Sequence, residues 1–230
     1  MPDPIFFAHR GASGHYPENT LLAFEKAISA GLTWIETDVY LIEDKLVIIH
    51  DDRLERTTNG TGHVAQKSLD YLRSLDAGNG EKIPFLEEAL DLIDKRAGMN
   101  IEMKGKNTAA ATAQVINRYV TEKGWSYDQF LVSSFIHPEL LEFKHLCPQV
   151  RTGALIAHIP LNFAAFAEKL DIYSIHASIE FLSEEFIYDA HERGLKFFVY
   201  TVNHQEDVRR MIEMNVDGIF TDYPELAFPK

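Results

Sequence analysis

Short β-rich apolar runs alternate with helical patterns almost from one end of this 230-residue chain to the other. The runs cover residues 5–8, 34–41, 46–49, 100–103, 130–135, 153–157, 172–176, 196–202 and 218–221. Between them lie stretches such as "TLLAFEKAISAG", "FLEEALDLIDKRAG", "LNFAAFAEKL" and "HQEDVRRMIEMN", with apolar residues three and four apart. Several of these end in Gly or Asn, the usual helix stop. Strands separated by single helices make right-handed parallel units. Taking 34–41 and 46–49 as one hairpin-like excursion leaves eight strand–helix units. That count predicts an α/β fold of the (β/α)8 TIM-barrel kind, in a chain close to the typical length of about 250 residues. A doubly wound open sheet is the rival, but "HRGASGHY" after the first strand lacks the spaced glycines of a dinucleotide turn.

One segment breaks the rhythm. Residues 51–84 are polar, turn-rich and longer than a barrel loop needs, and they read as an insertion rising from the second strand region. No linker, repeat or low-complexity stretch occurs elsewhere, so residues 1–230 read as one TIM-barrel domain with an insertion at about 51–84.

Charge and cysteine content exclude several functions. A formal net charge of -13 argues against nucleic acid and against an anionic membrane surface. The single cysteine, Cys147, allows no internal disulfide, which suits a reducing compartment. "MPDPIFF" lacks the positive region and apolar stretch of a signal peptide, and nowhere do about 18 apolar residues run together. The expectation is a soluble, cytoplasmic protein.

In a barrel of this kind the C-terminal strand ends face one mouth, where active sites sit. Polar residues gather at those ends: His9 and Arg10, Glu36 and Asp38, His50, Glu102 and Lys104, Thr201 and Asn203, Asp222. A strand aims Glu36 and Asp38 to the same face, with Trp34, while Ile35, Thr37 and Val39 face the helices. Carboxylates side by side repel unless a cation holds them. Glu36, Asp38 and Glu102 converging from two strands suit a hard divalent ion, Mg²⁺ or Ca²⁺. The plain alternative is a polar layer neutralised by Lys104 and Arg10. His9 and His50 end two strands of the same mouth and can serve as general acid and general base. Arg10 offers a planar fork of donors suited to a phosphate. The remaining histidines read mostly as structural, although His137 and His176 follow strand-like runs that could bring them to the mouth; "PENT" reads as a helix start capped by Asn19 or Thr20, and Cys147 has no nearby base.

In order, "AHRG", "PENT", "IETDV", "IHDDRLERTTNGTG", "IEMK", "VYTVN" and "DGIFTDYP" resemble the glycerophosphodiester phosphodiesterases, over Ala8 to Pro224. The resemblance implies a (β/α)8 barrel with an insertion after "HD". It implies that His9 and His50 form the acid–base pair, that Glu36, Asp38 and Glu102 hold one divalent metal ion, and that Arg10 and Lys104 hold the phosphate. Asn203 would line the substrate pocket. The short form is similar to the cytosolic members. Two departures stand out: Tyr200 occupies a position where the family usually has Trp, and the turn between Asp38 and His50 lacks the common "DG".

The implied reaction is metal-dependent hydrolysis of a small-molecule glycerophosphodiester, such as glycerophosphocholine or glycerophosphoethanolamine, to glycerol 3-phosphate and an alcohol. A lysophospholipase D-type enzyme on the same fold is one alternative, with Tyr16, Phe135 and Phe181 as candidates for an apolar groove. A non-catalytic phosphodiester-binding barrel is another, and a metal-dependent isomerase or aldolase a third.

Overall fold

A computed structural model describes residues 3–228. The ring of parallel strands comprises β1 (Ile5–Ala8), β2 (Trp34–Ile42), β4 (Gly98–Met103), β5 (Phe130–Ser134), β6 (Arg151–Ile156), β7 (Ser174–Ser178), β8 (Lys196–Tyr200) and β9 (Gly218–Thr221). β1 pairs with both β9 and β2, which closes eight strands into a (β/α)8 barrel. β3 (Lys45–Ile48) stands outside the ring, antiparallel to β2 in the register Val39 to Ile48 and Ile42 to Lys45. The hairpin-like excursion is therefore a tight hairpin closed by Glu43 and Asp44.

Helices α1 (Leu21–Ser29), α3 (Leu86–Ile93), α4 (Ala109–Lys123), α5 (His137–Leu146), α6 (Glu184–Glu192) and α7 (Gln205–Glu213) cover the barrel, and α2 (Leu69–Ser74) lies in the segment after β3. α1 shows why these sequences become helices. Thr20 caps it, accepting from the Ala23 N–H at 3.2 Å, and Ala23, Phe24 and Ala27 form its buried face. α3 buries Leu86, Ala89, Leu90 and Ile93 in the same core, each Leu or Ile contributing about 1.5–3 kcal/mol by burial.

Two helical expectations are corrected. Residues 161–170 form a 3-10 helix, Phe163–Lys169, in place of an α-helix. The pattern "FLEEALDLIDKRAG" stops as a helix at Ile93, and Gly98 opens β4. Gly98 is there for contact: a Cβ on it would lie 2.9 Å from the Trp34 ring.

The two faces of each strand serve different cores. Ile35, Val39, Met99, Ile101 and Val132 point outward into the helical layer. Phe7, Leu131, Phe198 and Phe220 point inward and fill the barrel, with Trp34, Tyr173 and Tyr200 packed against them. Phe7 and Phe220 stack with ring centroids 4.5 Å apart. Residues 51–84 carry Leu54, Val64, Leu72, Leu75, Ala77 and Ile83 onto Ile42, Val47 and Ile49 of the β2–β3 excursion, forming a separate small apolar cluster.

Candidate active site

β1 ends in a tight turn. Arg10 and Gly11 adopt φ of 56° and 82°, and the Gly11 N–H donates to the Ala8 carbonyl at 3.1 Å. A Cβ at Gly11 would sit 2.7 Å from the backbone of Ala23, so α1 packs on this turn only because position 11 is glycine. The turn delivers the backbone N–H of Arg10 to Glu36 Oε2 at 2.9 Å.

Strand register brings the carboxylates together. Asp38 and Glu102 are direct neighbours across β2 and β4, and Glu36 lies one step down β2 beside Asn100. One oxygen from each of Glu36, Asp38 and Glu102 lies within 4.8 Å of the other two. All three side chains are buried. Burial, with Asp38 and Glu102 alongside, pushes Glu36 well above the ordinary carboxylate range. Burial and Asp38 likewise push Glu102 up, to about 7. For Asp38 burial works in the same direction, but Arg10, His50, Lys104 and the Asn19 amide outweigh it and leave this group lowered and ionised. Asp38 Oδ2 accepts from Asn19 Nδ2 at 2.9 Å, whereas Asp38 Oδ1 has no hydrogen-bond partner among the described residues. Lys104 Nζ lies 2.9 Å from Glu102 Oε1 but 3.8 Å from Asp38 Oδ1, so the protein's own cations leave the cluster incompletely matched. An all-oxygen, buried and partly orphaned donor set of this kind fits a hard divalent cation.

His9 and His50 border the same cavity of about 180 Å³, together with Arg10, Glu36, Glu102, Asn100, His176, Phe135 and Tyr200. Each histidine rests on a carboxylate. His9 Nδ1 donates to Asp222 Oδ1 at 2.7 Å, and His50 Nδ1 donates to Asp51 Oδ1 at 2.6 Å. Hydrogen bonds hold both aspartates ionised: burial raises Asp222, but His9, Ser13 and Asn203 bring it down to about 2. The Arg56 hydrogen bond lowers Asp51 against a smaller burial cost. Each imidazole is thereby fixed with Nδ1–H on its aspartate and Nε2 toward the rim. His50 Nε2 accepts from Lys104 Nζ at 3.1 Å. Burial is the largest influence on His50, and its pKa is lowered, which favours the neutral ring.

Sequence reasoning missed the residues that orient these groups. Asp222 stood among the rim residues without a partner, and Asp51 and Asn19 had no role at the site. Nothing in spacing links Asp222 to His9, 213 positions away. "HDD" was the available signal for Asp51. Asn203 spends its amide on Asp222: Nδ2 donates to Asp222 Oδ2 at 2.6 Å, and Oδ1 accepts from the Asp222 N–H at 3.0 Å. Thr37 Oγ1 donates to Asn19 Oδ1 at 2.8 Å and so holds the amide that serves Asp38. His176 lies inside the barrel, wholly buried, Nε2 paired with Ser174 Oγ at 2.8 Å. Cys147 is buried, and burial raises its thiol pKa.

A hollow of about 410 Å³ opens at the opposite end of the molecule, around His191 and Asp217, and one of about 650 Å³ lies along α6 beside the end of α7. The acid there, Asp217, is already spent: Oδ1 meets Lys196 Nζ at 2.7 Å, and Oδ2 accepts from His191 Nε2 at 2.8 Å and the Phe197 N–H at 2.9 Å. At the mouth, by contrast, the strand C-terminal ends place buried ionisable groups, among them Asp38 Oδ1, that lack a hydrogen-bond partner among the described residues.

Fold and rim together define a (β/α)8-barrel hydrolase. Residues 9–226 match the model of the glycerophosphoryl diester phosphodiesterase family, and the chain belongs to that family. It is similar to the glycerophosphodiester phosphodiesterase of Caldanaerobacter subterraneus subsp. tengcongensis, 36% identical over 96% of this chain and 95% of that protein. The glycerophosphodiester phosphodiesterase of Bacillus subtilis (strain 168) is 33% identical over 98% of this chain and 86% of its own length. Among solved structures, a phosphodiesterase of Oleispira antarctica, in complex with its product sn-glycerol-3-phosphate, superposes with a TM-score of 0.88 at 33% identity, covering 98% of this chain and 94% of that one. Among the described residues no helix is long and apolar enough to cross a membrane.

Proposed function

We propose that this chain hydrolyses small glycerophosphodiesters, such as glycerophosphocholine or glycerophosphoethanolamine, to glycerol 3-phosphate and the free alcohol. In this reading Glu36, Asp38 and Glu102 hold one divalent cation, Mg²⁺ or Ca²⁺, and His9 and His50 are the acid–base pair. The observation that carries it is the convergence of three buried carboxylate oxygens within 4.8 Å, bordered by two imidazoles that each rest on an ionised aspartate. The product bound by the Oleispira relative supports the glycerol phosphate half of the substrate.

When bound, the cation supplies Lewis acidity toward a phosphate oxygen. The chain's own groups do the rest. Arg10 and Lys104 present fixed donors to the negative charge that grows on the phosphoryl oxygens, where preorganised charge counts most. One histidine takes the proton of the nucleophile through Nε2, and the other gives a proton to the oxygen of the departing alcohol. Their aspartates keep the tautomers that these transfers need and stabilise the imidazolium formed. The nucleophile is water or a glycerol hydroxyl; the second route releases a cyclic phosphate first.

The test incubates purified protein with glycerophosphocholine and glycerophosphoethanolamine, with and without chelator, and measures released glycerol 3-phosphate. Release that chelator abolishes and added Mg²⁺ or Ca²⁺ restores supports the reading. Release indifferent to chelator removes the cation from it, and binding without turnover turns the protein into a sensor of phosphodiesters.

One observation favours a second substrate class. Phe135, Ile159, Leu161 and Phe181 are exposed on the loops after β5, β6 and β7, at the same mouth, with Leu161 97% exposed. Such a rim suits a diester bearing an acyl chain. Faster release of choline from lysophosphatidylcholine than from glycerophosphocholine would establish it; the reverse order leaves the water-soluble diester as substrate.

A further inference from the structure

The segment after β3 sends one side chain back to the rim. Arg56 Nη1 and Nη2 donate to Glu18 Oε2 and Oε1 at 2.7 and 2.8 Å. On its other edge, Nε and Nη2 donate to Asp51 Oδ2 and Oδ1 at 2.6 and 2.9 Å. One planar guanidinium thus grips two carboxylates, a geometry that a lysine ammonium cannot reproduce.

Both carboxylates also face inward. Asp51 Oδ1 accepts from His50 Nδ1 at 2.6 Å, and Glu18 Oε1 accepts from Arg10 Nη1 at 2.9 Å. An unbroken chain of charge-assisted hydrogen bonds therefore runs His50, Asp51, Arg56, Glu18, Arg10. The two histidines are supported differently. Asp222, behind His9, is held by Ser13 and Asn203, and its backbone is tied to the Asn203 side chain and to Gly14. Asp51, behind His50, begins the long segment that follows β3, and besides His50 its side chain has Arg56 alone as donor among the described residues.

We propose that Arg56 is a positioning residue for the hydrolysis: by locking Asp51 and Glu18 into one plane, it fixes His50 and Arg10 relative to each other across the mouth. The inference rests on the roles given to His50 and Arg10 in the proposed function. It also gives the 51–84 segment, whose apolar side chains pack on the β2–β3 excursion, a link to the rim.

A purely structural role for Arg56 is the competing account. Its side chain is 49% exposed, and exposed ion pairs add little to stability. Removing Arg56 is therefore expected to leave the fold intact and misplace two groups, which is where small displacements are costly.

The test measures kcat, KM and thermal midpoint for R56A, R56K, E18Q and D51N with glycerophosphocholine at saturating Mg²⁺ or Ca²⁺. R56A is expected to lose about 100-fold in kcat/KM, the cost typical of a small misplacement of a reacting group. Its thermal midpoint moves by only about 2–4 °C, the shift of a minor loss in a chain of this size. D51N lowers kcat at nearly unchanged KM, because it acts through His50. E18Q raises KM and lowers kcat, because Arg10 meets the bound phosphate as well as the charge that grows on it. R56A combines both effects and adds little to the D51N/E18Q double variant, as groups acting as one unit should. R56K fails to recover activity. The inference is overturned if R56A keeps kcat and KM, if R56K matches the wild type, or if lost activity tracks lost folded protein. A wild type that does not turn over any glycerophosphodiester overturns the proposed function itself, a result that no Arg56 variant can produce.

Discussion

At three strands of the barrel, a step of two residues separates an aromatic side chain from a polar one: Phe7 from His9, Trp34 from Glu36, and Phe220 from Asp222. That step is about 6.6 Å along a strand. Below it the barrel is a plug of stacked rings, which gain from leaving water and ask nothing of their neighbours. Above it the barrel holds Glu36, Asp38 and Glu102 out of water, where two of the three are pushed toward protonation by burial and by each other. The floor is shaped for stability. The rim carries an electrostatic cost that only a ligand cation or a reaction can justify.

Four outcomes would sharpen or break this contrast. His9→Ala or His50→Ala, at the rim, is expected to lower kcat by about 1,000-fold, the scale of a lost general acid or base, with the thermal midpoint little changed. Steady-state release of glycerol 3-phosphate and a melting curve read both quantities. Phe7→Ala, at the floor, should do the reverse. It removes a wholly enclosed ring and is expected to cost about 3–5 kcal/mol, visible in denaturant titration, while kcat per folded molecule stays close to wild type. Equal activity losses in floor and rim variants would erase the distinction.

The pH dependence follows from the crowded carboxylates. In the metal-free protein Glu102 is raised from 4.5 to about 7, so the folded chain holds a proton that the unfolded chain releases. The folded state binds more protons within that window, and metal-free stability falls as pH rises through it. A divalent cation displaces the proton and reverses the trend. Melting curves with chelator at each end of the window, for wild type and Glu102→Gln, check this; the variant should lack this component of the slope. The smallest effect is expected from Glu36→Gln. Replacing a carboxyl raised by burial and like charge should leave the metal-free thermal midpoint unchanged or a few degrees higher, by differential scanning calorimetry, while cation binding weakens.

Much of the contrast is legible in the sequence because it rests on a period of two. "WIETDV" puts Glu36 and Asp38 on one face whatever their neighbours do, and the strand–helix alternation carries the ring of eight. The rest depends on closure and on rotamers. Asp222 reaches His9 only because β9 pairs with β1, a contact made between the two ends of the chain. Asn19 serves Asp38 because α1 packs onto Gly11, which brings "PENT" over the mouth. Asn203 sits at the end of a rim strand, yet Asp222 claims both ends of its amide. Arg56 looks like one charge among many in "DDRLERTT", and nothing in spacing says that it folds back between Glu18 and Asp51. Gly98 reads as a helix stop from its left-hand context, and only the Trp34 ring opposite explains it as the start of a strand.

The account turns on whether Glu36, Asp38 and Glu102 share one ion. A crystal structure of the chain grown with Mn²⁺, using anomalous scattering to locate the metal, tests that directly. The predicted result is a single peak ligated by oxygens of all three residues at about 2.0–2.6 Å, with His9 and His50 bordering the same cavity. Full turnover under chelator, with no peak at the mouth and the three carboxyls paired only with Lys104 and Arg10, would contradict it.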